Sequence, residues 1–369
     1  MSVPAPDKNH SVAVVLLNFG GPRSLAEVGP FLYEILRDPN TIQLPAPIWV
    51  QNLLARAIVA RRTPETQRQY GEIGGKSPIV AASAALAAAV QARAEGPGDP
   101  LPVLVSHRYL PGWARETARK IAKLGAQSLF AVPLYPHFSY ATTGSALEQL
   151  AGELRAAGYR GKIAALRSYP DAAGYLDALG ERLQSTLSAA APPPRTTVVL
   201  CSAHGLPASY VARGDPYRRE IDATVAGLRA RFPGWRLEIS FQSRVGPAEW
   251  LRPYTRDSLA TFAGEGVSDV VFLPLSFVND HIETLYEIGQ TYFGQTRGLG
   301  MTPHLVPAVE THPAFVDFLA DAIKQWRAGG QGEPLAALLP PDQSWRRVGV
   351  WRWGLWLLAF VAVLLLALL

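Results

Sequence analysis

The chain has 369 residues, of which 48% are hydrophobic, and this is enough for two domains of ordinary size and a small appendage. Its formal net charge of +5 is spread along the chain without a block of Lys or Arg, which argues against a nucleic-acid partner. The single cysteine, Cys201, excludes an intramolecular disulfide and a four-cysteine zinc or iron–sulfur site, and is typical of a reducing compartment.

Short apolar runs alternate with longer segments of helical period up to residue 327. The runs predict strands at Val12–Leu17, Val103–Ser106, Ser128–Leu134, Lys162–Leu166, Thr197–Cys201, Leu237–Phe241, Asp269–Leu275 and Pro303–Val306. The longer segments predict helices at Ala81–Ala94, Trp113–Leu124, Ser145–Ala157, Ala172–Ala189, Pro216–Arg231, Trp250–Ala263 and Pro313–Arg327. Helices alternating with almost continuously apolar strands indicate an α/β protein with parallel sheets covered on both faces.

The two halves of the chain resemble each other. Val132-Pro133-Leu134 and Leu273-Pro274-Leu275 each end a predicted strand, and an aromatic loop and a helix follow both. We predict two similar doubly wound domains with a cleft between them, at residues 1–171 and 172–310, then a helix over 311–327 and a linker over 328–346. Such sheets bind ligands at the C-terminal ends of their strands, so site residues are expected in the loops there.

Segments near both ends of the chain bear on its location. The run at Val12–Leu17 is too short for a signal peptide, so the globular part is expected in the cytoplasm. Trp353–Leu369 has no charge, and tryptophans and arginines crowd its N-terminal side. This pattern predicts a transmembrane helix over residues 347–369 that anchors the protein to the cytoplasmic face of the inner membrane, with a buried core helix as the alternative.

A further amphipathic segment lies at Pro45–Arg62, where apolar residues are mixed with arginines. A helix with such a face could form a lip on the membrane surface or pack on its own domain. The pattern is common to both arrangements, so both stay open.

A histidine and a row of carboxylates follow two predicted strands of the second half. His204 lies just past one strand, and Asp280, Glu283 and Glu287 follow another at positions i, i+3 and i+7. If this stretch is helical, the three carboxylates share one face and Asp280 caps its N-terminus. Imidazole with carboxylates suits Fe²⁺, Zn²⁺ or Co²⁺ and stepwise proton removal, although a solvated acidic face beside a structural histidine gives the same pattern.

Aromatic residues gather in the loops expected to line the same cleft, namely Phe19, Tyr70, Tyr109, Phe138, Tyr140, Trp250 and Phe277. Each alone could belong to the core, but together they predict a flat, largely apolar ligand. Arg108 could pair with a carboxylate of that ligand or lie at the surface. The Gly-rich stretch that ends at Ser77 and Pro78 lacks the spacing of a phosphate loop, which argues against nucleotide binding.

Several of these residues belong to motifs that occur in a specific order. The motifs are Leu17–Pro22, Phe31-Leu32 with Asp38-Pro39, Tyr70–Pro78, Arg108-Tyr109, Pro136–Ser139, Ser202–Pro207, Gln242–Pro247 and Asp280–Leu285. In this order they resemble the ferrochelatases, which insert Fe²⁺ into a porphyrin to make haem, along residues 12–326. The resemblance implies two Rossmann-like domains with a porphyrin cleft between them.

By the same resemblance, His204 and Glu283 form the metal-site and catalytic pair, and Asp280 and Glu287 continue an acidic path. The implied porphyrin-side residues are Phe19, Tyr70, Ser77, Arg108, Tyr109, Ser243 and Trp250. In the implied mechanism the site binds a distorted macrocycle, His204 accepts pyrrole protons, and Glu283 guides the metal or relays protons.

The implied substrates are Fe²⁺ and protoporphyrin IX, and two protons are released. Members that use coproporphyrin have tyrosine at the position of Phe19, so coproporphyrin III is the alternative substrate. No cofactor beyond the substrate Fe²⁺ is implied, and one cysteine cannot hold the [2Fe–2S] cluster of some members. The implied partners are the membrane and the upstream enzyme that oxidises protoporphyrinogen.

Three other functions are compatible with parts of this sequence. A chelatase for another metal or tetrapyrrole, such as cobalt and sirohydrochlorin, would share the fold, but such enzymes are usually soluble and simpler. A non-catalytic porphyrin or haem carrier would use the aromatics but not the carboxylate row. A nucleotide-binding enzyme on the same sheets would need the phosphate loop that is missing.

Overall fold

The computed structural model describes residues 12–42, 47–246, 248–330 and 332–339. Its strands are β1 (Val12–Asn18), β2 (Val103–His107), β3 (Ser128–Pro133), β4 (Lys162–Ala165), β5 (Thr197–His204), β6 (Arg236–Gln242), β7 (Asp269–Pro274), β8 (Thr302–Leu305) and β9 (Glu333–Pro334). They form one sheet in the order β2-β1-β3-β4-β9 and another in the order β6-β5-β7-β8. Every pair is parallel except β4–β9, which confirms the predicted α/β class with parallel sheets.

Helices connect the strands and cover the sheets. They are α1 (Val28–Leu36), α2 (Ile48–Glu72), α3 (Ile79–Ala94), α4 (Trp113–Lys123), α5 (Ser145–Ala156), α6 (Ala173–Ala190), α7 (Ala208–Ala212), α8 (Tyr217–Arg231), α9 (Thr255–Gly264), α10 (Phe293–Gly298), α11 (Pro313–Arg327) and α12 (Leu335–Leu338). Two π-helices cover Tyr140–Gly144 and Glu283–Tyr292, and short 3₁₀ turns cover Leu25–Glu27 and Pro194–Thr196.

The internal repeat inferred from the sequence has a structural counterpart. The order β2-β1-β3-β4 in one sheet matches the order β6-β5-β7-β8 in the other, so both halves are wound in the same way. A π-helix also follows the corresponding strands, β3 and β7. The long aliphatic runs of β1 and β5 lie at inner positions of their sheets, where both faces are covered and all but the first residue of β1 and the last of β5 are buried.

All predicted strands are present, with shifts at their ends. Strand β5 continues through His204, which is therefore the last residue of a strand and not part of the loop beyond it. The helix predicted at Trp250–Ala263 begins only at Thr255. Two local features explain the late start: Trp250 forms an antiparallel bridge with Pro207, and Pro253 disfavours helical backbone at the residue before it.

The main hydrophobic core runs between the two halves. It includes Leu16 of β1 and Val199 and Cys201 of β5, all with no exposed surface, together with side chains of α6, α8 and α11. Burial raises the pKa of the Cys201 thiol to about 12, so this cysteine is an unreactive core residue.

The end of the described chain packs back on the first sheet. Strand β9 pairs with β4, and Leu338 is fully buried beside Leu147 and Tyr135, so part of the stretch predicted as a linker is packed against the body. The predicted anchor at residues 347–369 lies outside the described residues. Within the described ranges, no helix is both long and apolar enough to cross a membrane.

Candidate active site

The C-terminal edges of the two sheets meet through a buried contact. Asn18 ends β1 and donates from Nδ2 to Oδ1 of Asn279, which follows β7, at 2.9 Å. Asn18 also donates to the hydroxyl of Ser83 in α3 at 2.8 Å. Loops from both halves therefore come together at this edge, where ligands of such sheets are expected to bind.

His204 and Glu283 form a hydrogen-bonded pair at this edge. His204 is the last residue of β5, and Glu283 is the first residue of the second π-helix. Nδ1 of His204 lies 2.9 Å from Oε2 of Glu283. The two side chains are 34% and 22% exposed, so a ligand can reach the pair. The fold thus brings together two residues that are 79 positions apart in the sequence.

The two groups shift each other's pKa values in opposite directions. Burial alone would lower the pKa of His204, but the charge and hydrogen bond of Glu283 outweigh burial and raise it above its usual value. Burial alone would raise the pKa of Glu283, but His204, helped by His281, holds it well below its usual value. The pair therefore favours the imidazolium and carboxylate forms.

Glu287 is the second carboxylate of the same π-helix, and the end of β6 holds it. Its Oε1 accepts a hydrogen bond from the Ser243 N–H at 2.9 Å, and its Oε2 accepts from the Ser243 hydroxyl and from Nε2 of Gln242 at 3.1 Å. Ser243 has a φ of +64°, in the left-handed region that L-residues rarely adopt. Both donors of this strained residue point at one carboxylate.

The pKa of Glu287 moves opposite to that of Glu283. Burial raises it, the charge of Glu283 raises it further, and the hydrogen bonds from Ser243 oppose the change. Two neighbouring carboxyls with pKa values pushed apart are suited to hold and pass on a proton.

Asp280 does not join these two carboxylates, which corrects the prediction of one shared acidic face. That prediction assumed an α-helix from Asp280 onward, whereas the helix begins at Glu283, has Ile282 as its N-cap and is wound as a π-helix. Asp280 instead accepts a hydrogen bond from the Ala308 N–H at 3.4 Å, and its charge helps to raise the pKa of Glu310. Asp280 thus lies in the loop after β7 but faces the loop after β8.

His281 is a site residue to which the sequence reasoning gave no role. It is 4% exposed, and its Nε2 lies 3.6 Å from Oε2 of Glu283. Neither ring nitrogen has a hydrogen-bond partner among the described residues, while its ring lies 4.1 Å from that of Phe277. Its position between Asp280 and Glu283 in the sequence was the only available signal.

Three of the predicted aromatic residues lie around the His204–Glu283 pair. Tyr70 is 2% exposed, and burial and the charge of Glu283 raise its pKa. The Phe277 ring centre lies 6.0 Å from that of His204. Trp250 packs so closely on Gly205 that a Cβ there would lie 2.8 Å from the indole, so only glycine fits.

Arg108 and Tyr109 both contact the buried carboxylate of Asp38. Nη2 of Arg108 lies 2.7 Å from Oδ2 of Asp38, and the Tyr109 hydroxyl donates to the same oxygen at 2.7 Å. Ser145 donates to it as well, at 2.6 Å. Asp38 is 3% exposed, so it needs these donors. In this structure Arg108 pairs with Asp38, and its pairing with a ligand carboxylate stays a prediction.

Two further predicted porphyrin-side residues, Phe19 and Ser77, lie near the end of β1. Phe19 stacks at a tilt on Tyr109, with 4.5 Å between ring centres. Ser77 is 4% exposed and lies against Gly21, where an added Cβ would come within 2.6 Å of the serine side chain. Neither Phe19 nor Ser77 forms a hydrogen bond with His204 or Glu283 in this structure.

Few side chains that could bind a metal ion lie at the His204–Glu283 pair. In the part of the chain that the structure describes, no three side chains of His, Cys, Asp or Glu are grouped so that they could hold a metal ion. A metal ion at His204 and Glu283 would therefore need further ligands from water or from a bound substrate.

Comparisons with known proteins point in one direction. The family model described as Ferrochelatase matches residues 11–326. A ferrochelatase of Synechocystis sp. is 39% identical over 321 residues, which cover 85% of this chain and 81% of the relative. A ferrochelatase of Geotalea daltonii is 36% identical over 323 residues, covering 87% and 100%. Among solved structures, SirB from Bacillus subtilis with Fe³⁺ covers 86% of this chain and 96% of its own, with a TM-score of 0.51 and 12% identity, which shows a shared fold alone.

Proposed function

This chain belongs to the ferrochelatase family, and on that premise we propose that it inserts Fe²⁺ into protoporphyrin IX through the His204–Glu283 pair. Insertion forms four bonds between iron and the ring nitrogens and releases the two pyrrole N–H protons. The reaction needs a base beside the macrocycle and a group that accepts the hydrated metal. The observation on which the proposal depends is the 2.9 Å hydrogen bond between imidazole and carboxylate at the edge where both halves meet.

Glu283 is proposed to receive the metal. Among the described residues, its recorded contacts with His204 and His281 are both made by Oε2. Oε1 is therefore the oxygen available to the ion, and the lowered pKa keeps the carboxylate ionised. A divalent ion on this carboxylate competes with the imidazolium for the same negative charge, so arrival of Fe²⁺ would lower the pKa of His204 and release its proton.

His204 is proposed to accept the pyrrole protons. Once the metal has reduced the influence of Glu283, the neutral imidazole can act as a general base. Glu287, with its raised pKa and its contacts to Gln242 and Ser243, would take the protons onward. The aromatic residues Trp250 and Phe277 beside the pair suit an apolar, planar substrate.

Protoporphyrin IX is proposed as the porphyrin because Phe19 presents an apolar ring where a hydroxyl would otherwise stand. This ring packs on Phe31 and Tyr109 at centre distances of 6.0 and 4.5 Å. A porphyrin with vinyl groups loses less hydration against such a wall than one with two further carboxylates. Faster conversion of coproporphyrin III than of protoporphyrin IX would contradict this choice.

The proposal is tested by anaerobic incubation with Fe²⁺ and protoporphyrin IX, following loss of porphyrin fluorescence and growth of haem absorbance. We expect His204→Ala and Glu283→Gln each to lower kcat by about 100-fold or more while porphyrin still binds, since a general base commonly contributes that much. His312→Ala, at the N-cap of α11, is the matched control and should keep full activity. Normal insertion by either site variant would contradict the assignment.

We also propose that the enzyme works at the cytoplasmic face of the membrane, where the upstream oxidising enzyme could hand over porphyrin. The support is an exposed apolar patch at the start of α2, where Ile48, Trp49 and Leu53 are 54%, 67% and 61% exposed. The other end of α2 contacts the second π-helix, since Arg68 donates to the Tyr286 hydroxyl at 2.9 Å. The patch therefore belongs to a helix that reaches the site.

This location is tested with protoporphyrin dissolved in vesicles of zwitterionic and anionic phospholipid. We expect the full-length double variant Trp49→Ser/Leu53→Ser to form haem more slowly from vesicles but at the normal rate from detergent-solubilised porphyrin. Leu124→Ser, which removes an exposed apolar residue at the end of α4, is the control. Equal rates from vesicles for all three proteins would exclude a membrane role for the patch.

A further inference from the structure

A closed ring of hydrogen bonds surrounds the backbone of His204. Its N–H donates to the hydroxyl of Ser276 at 2.8 Å, and its carbonyl accepts from the hydroxyl of Tyr217 at 2.9 Å. The two hydroxyls lie 2.6 Å apart. Tyr217 and Ser276 are 7% and 8% exposed, so water does not compete for these groups.

The direction of each bond follows from the available protons. Because Tyr217 uses its proton on the His204 carbonyl, the proton between the two hydroxyls must come from Ser276. Ser276 in turn accepts from the His204 N–H. Each hydroxyl then donates once and accepts once, and only one proton arrangement satisfies the whole ring.

The residues of the ring come from three separate elements. His204 ends β5, Ser276 follows β7, and Tyr217 is the first residue of α8. Asp215 fixes the start of α8 by accepting from the Tyr217 N–H at 3.0 Å, and it also accepts from the Ser139 hydroxyl of the first half at 2.9 Å. The ring thereby ties the end of β5 to both neighbouring elements and, through Asp215, to the opposite half.

We infer that Tyr217 and Ser276 are positioning residues, which hold the backbone of His204 so that its imidazole meets Glu283 and the substrate. The inference rests on the proposed role of His204. Without the ring, the last residue of a strand would be free to turn away, and the 2.9 Å contact between Nδ1 and Glu283 would lengthen. Neither hydroxyl touches the imidazole, so their effect must pass through the backbone.

The test compares Tyr217→Phe, Ser276→Ala and Ser276→Thr in the full-length enzyme. Removal of either hydroxyl should lower kcat by about 10- to 100-fold with an unchanged KM for protoporphyrin IX, because small displacements of a catalytic group have effects of this size. Ser276→Thr retains the hydroxyl and should recover most of the lost kcat. The double variant Tyr217→Phe/Ser276→Ala should be no slower than the slower single variant, because either change opens the same ring.

Tyr169→Phe is the matched control, since its buried hydroxyl also donates to a backbone carbonyl, that of Pro133, at 3.1 Å. A kcat for Tyr217→Phe equal to that of Tyr169→Phe, at equal melting temperature, would overturn the inference. If Tyr217→Phe does not fold, equal kcat values for Ser276→Ala and Ser276→Thr would do so instead. Full activity of His204→Ala would point to a different failure, that of the proposed function itself.

Discussion

At the scale of single residues, the pKa of His204 depends mainly on one partner. Burial acts to lower this pKa, the charge and hydrogen bond of Glu283 raise it, and the charge of Glu287 adds a smaller increase. The same partnership lowers the pKa of Glu283 although burial acts to raise it. The charge state of the site therefore depends on whether this one contact is intact.

Glu283→Gln should reverse the direction of the shift at His204. The amide has no charge, so burial becomes the dominant influence and the pKa of His204 falls from above its ordinary value to below it. The measurement is an NMR titration of the histidine ring signals in the metal-free protein, with His204→Ala to assign the resonance. His137, whose pKa burial lowers to about 3, should stay neutral throughout as an internal reference. An unchanged His204 pKa would show that Glu283 is not its main partner.

At this scale, the sequence indicated the residue types that could do chemistry at the site. It did not indicate which residue Arg108 pairs with inside the protein. The residue types indicated His204 together with a row of three carboxylates, and the choice of Glu283 as its partner came from the family resemblance. The engagement of Arg108 was not identifiable, because its partner Asp38 lies 70 positions away and no spacing links the two. A motif shows that a side chain is charged, but the burial of that side chain and its ion-pair partner depend on the fold.

At the scale of elements, hydrophobic pattern located the strands because β1, β3, β5 and β7 are apolar along almost their whole length. The same pattern could not separate a π-helix from an α-helix. Residues 283–292 have the composition of an ordinary amphipathic helix, although they are wound as a π-helix. That difference is what separates Asp280 from the other carboxylates.

This arrangement predicts different outcomes for two similar substitutions. Glu287→Gln should lower kcat for iron insertion by about 10-fold or more, because it removes a proton-accepting group held beside Glu283. Asp280→Asn should leave kcat within about threefold, because Asp280 faces the loop after β8. Steady-state kinetics of iron insertion by both variants tests this prediction. A loss for Asp280→Asn as large as that for Glu287→Gln would restore the single acidic face expected from the sequence.

At the scale of the whole molecule, the two halves are joined by buried polar contacts as well as by a common core. Glu220 of α8 accepts from the Phe138 N–H at 2.6 Å, and His137 shares a 2.8 Å hydrogen bond with Thr224 of the same helix. Both contacts link the loop after β3 to the second half. These contacts fix the position of one sheet edge relative to the other near the site. Both of them are made by residues of helix α8.

Asp215 is the point at which these links meet the ring around His204, so its removal should affect stability and catalysis together. Asp215→Ala leaves the buried Ser139 hydroxyl and the Tyr217 N–H without their acceptor, and we expect the free energy of unfolding to fall by about 3 kcal/mol. Because the start of α8 then loses its contact with the first half, kcat should fall even at temperatures where the variant is fully folded.

Denaturant unfolding and steady-state kinetics, measured side by side, check this prediction. Asp222→Ala is the control on the same helix, since Asp222 is 47% exposed and, within the described part of the chain, pairs only with Arg218. An exposed ion pair contributes little, so this variant should unfold within about 0.5 kcal/mol of the wild type and keep its kcat. If Asp215→Ala lost stability but kept the wild-type kcat, the contact between the halves would support the fold without positioning His204, and the path from Asp215 through Tyr217 to the site would have to be abandoned.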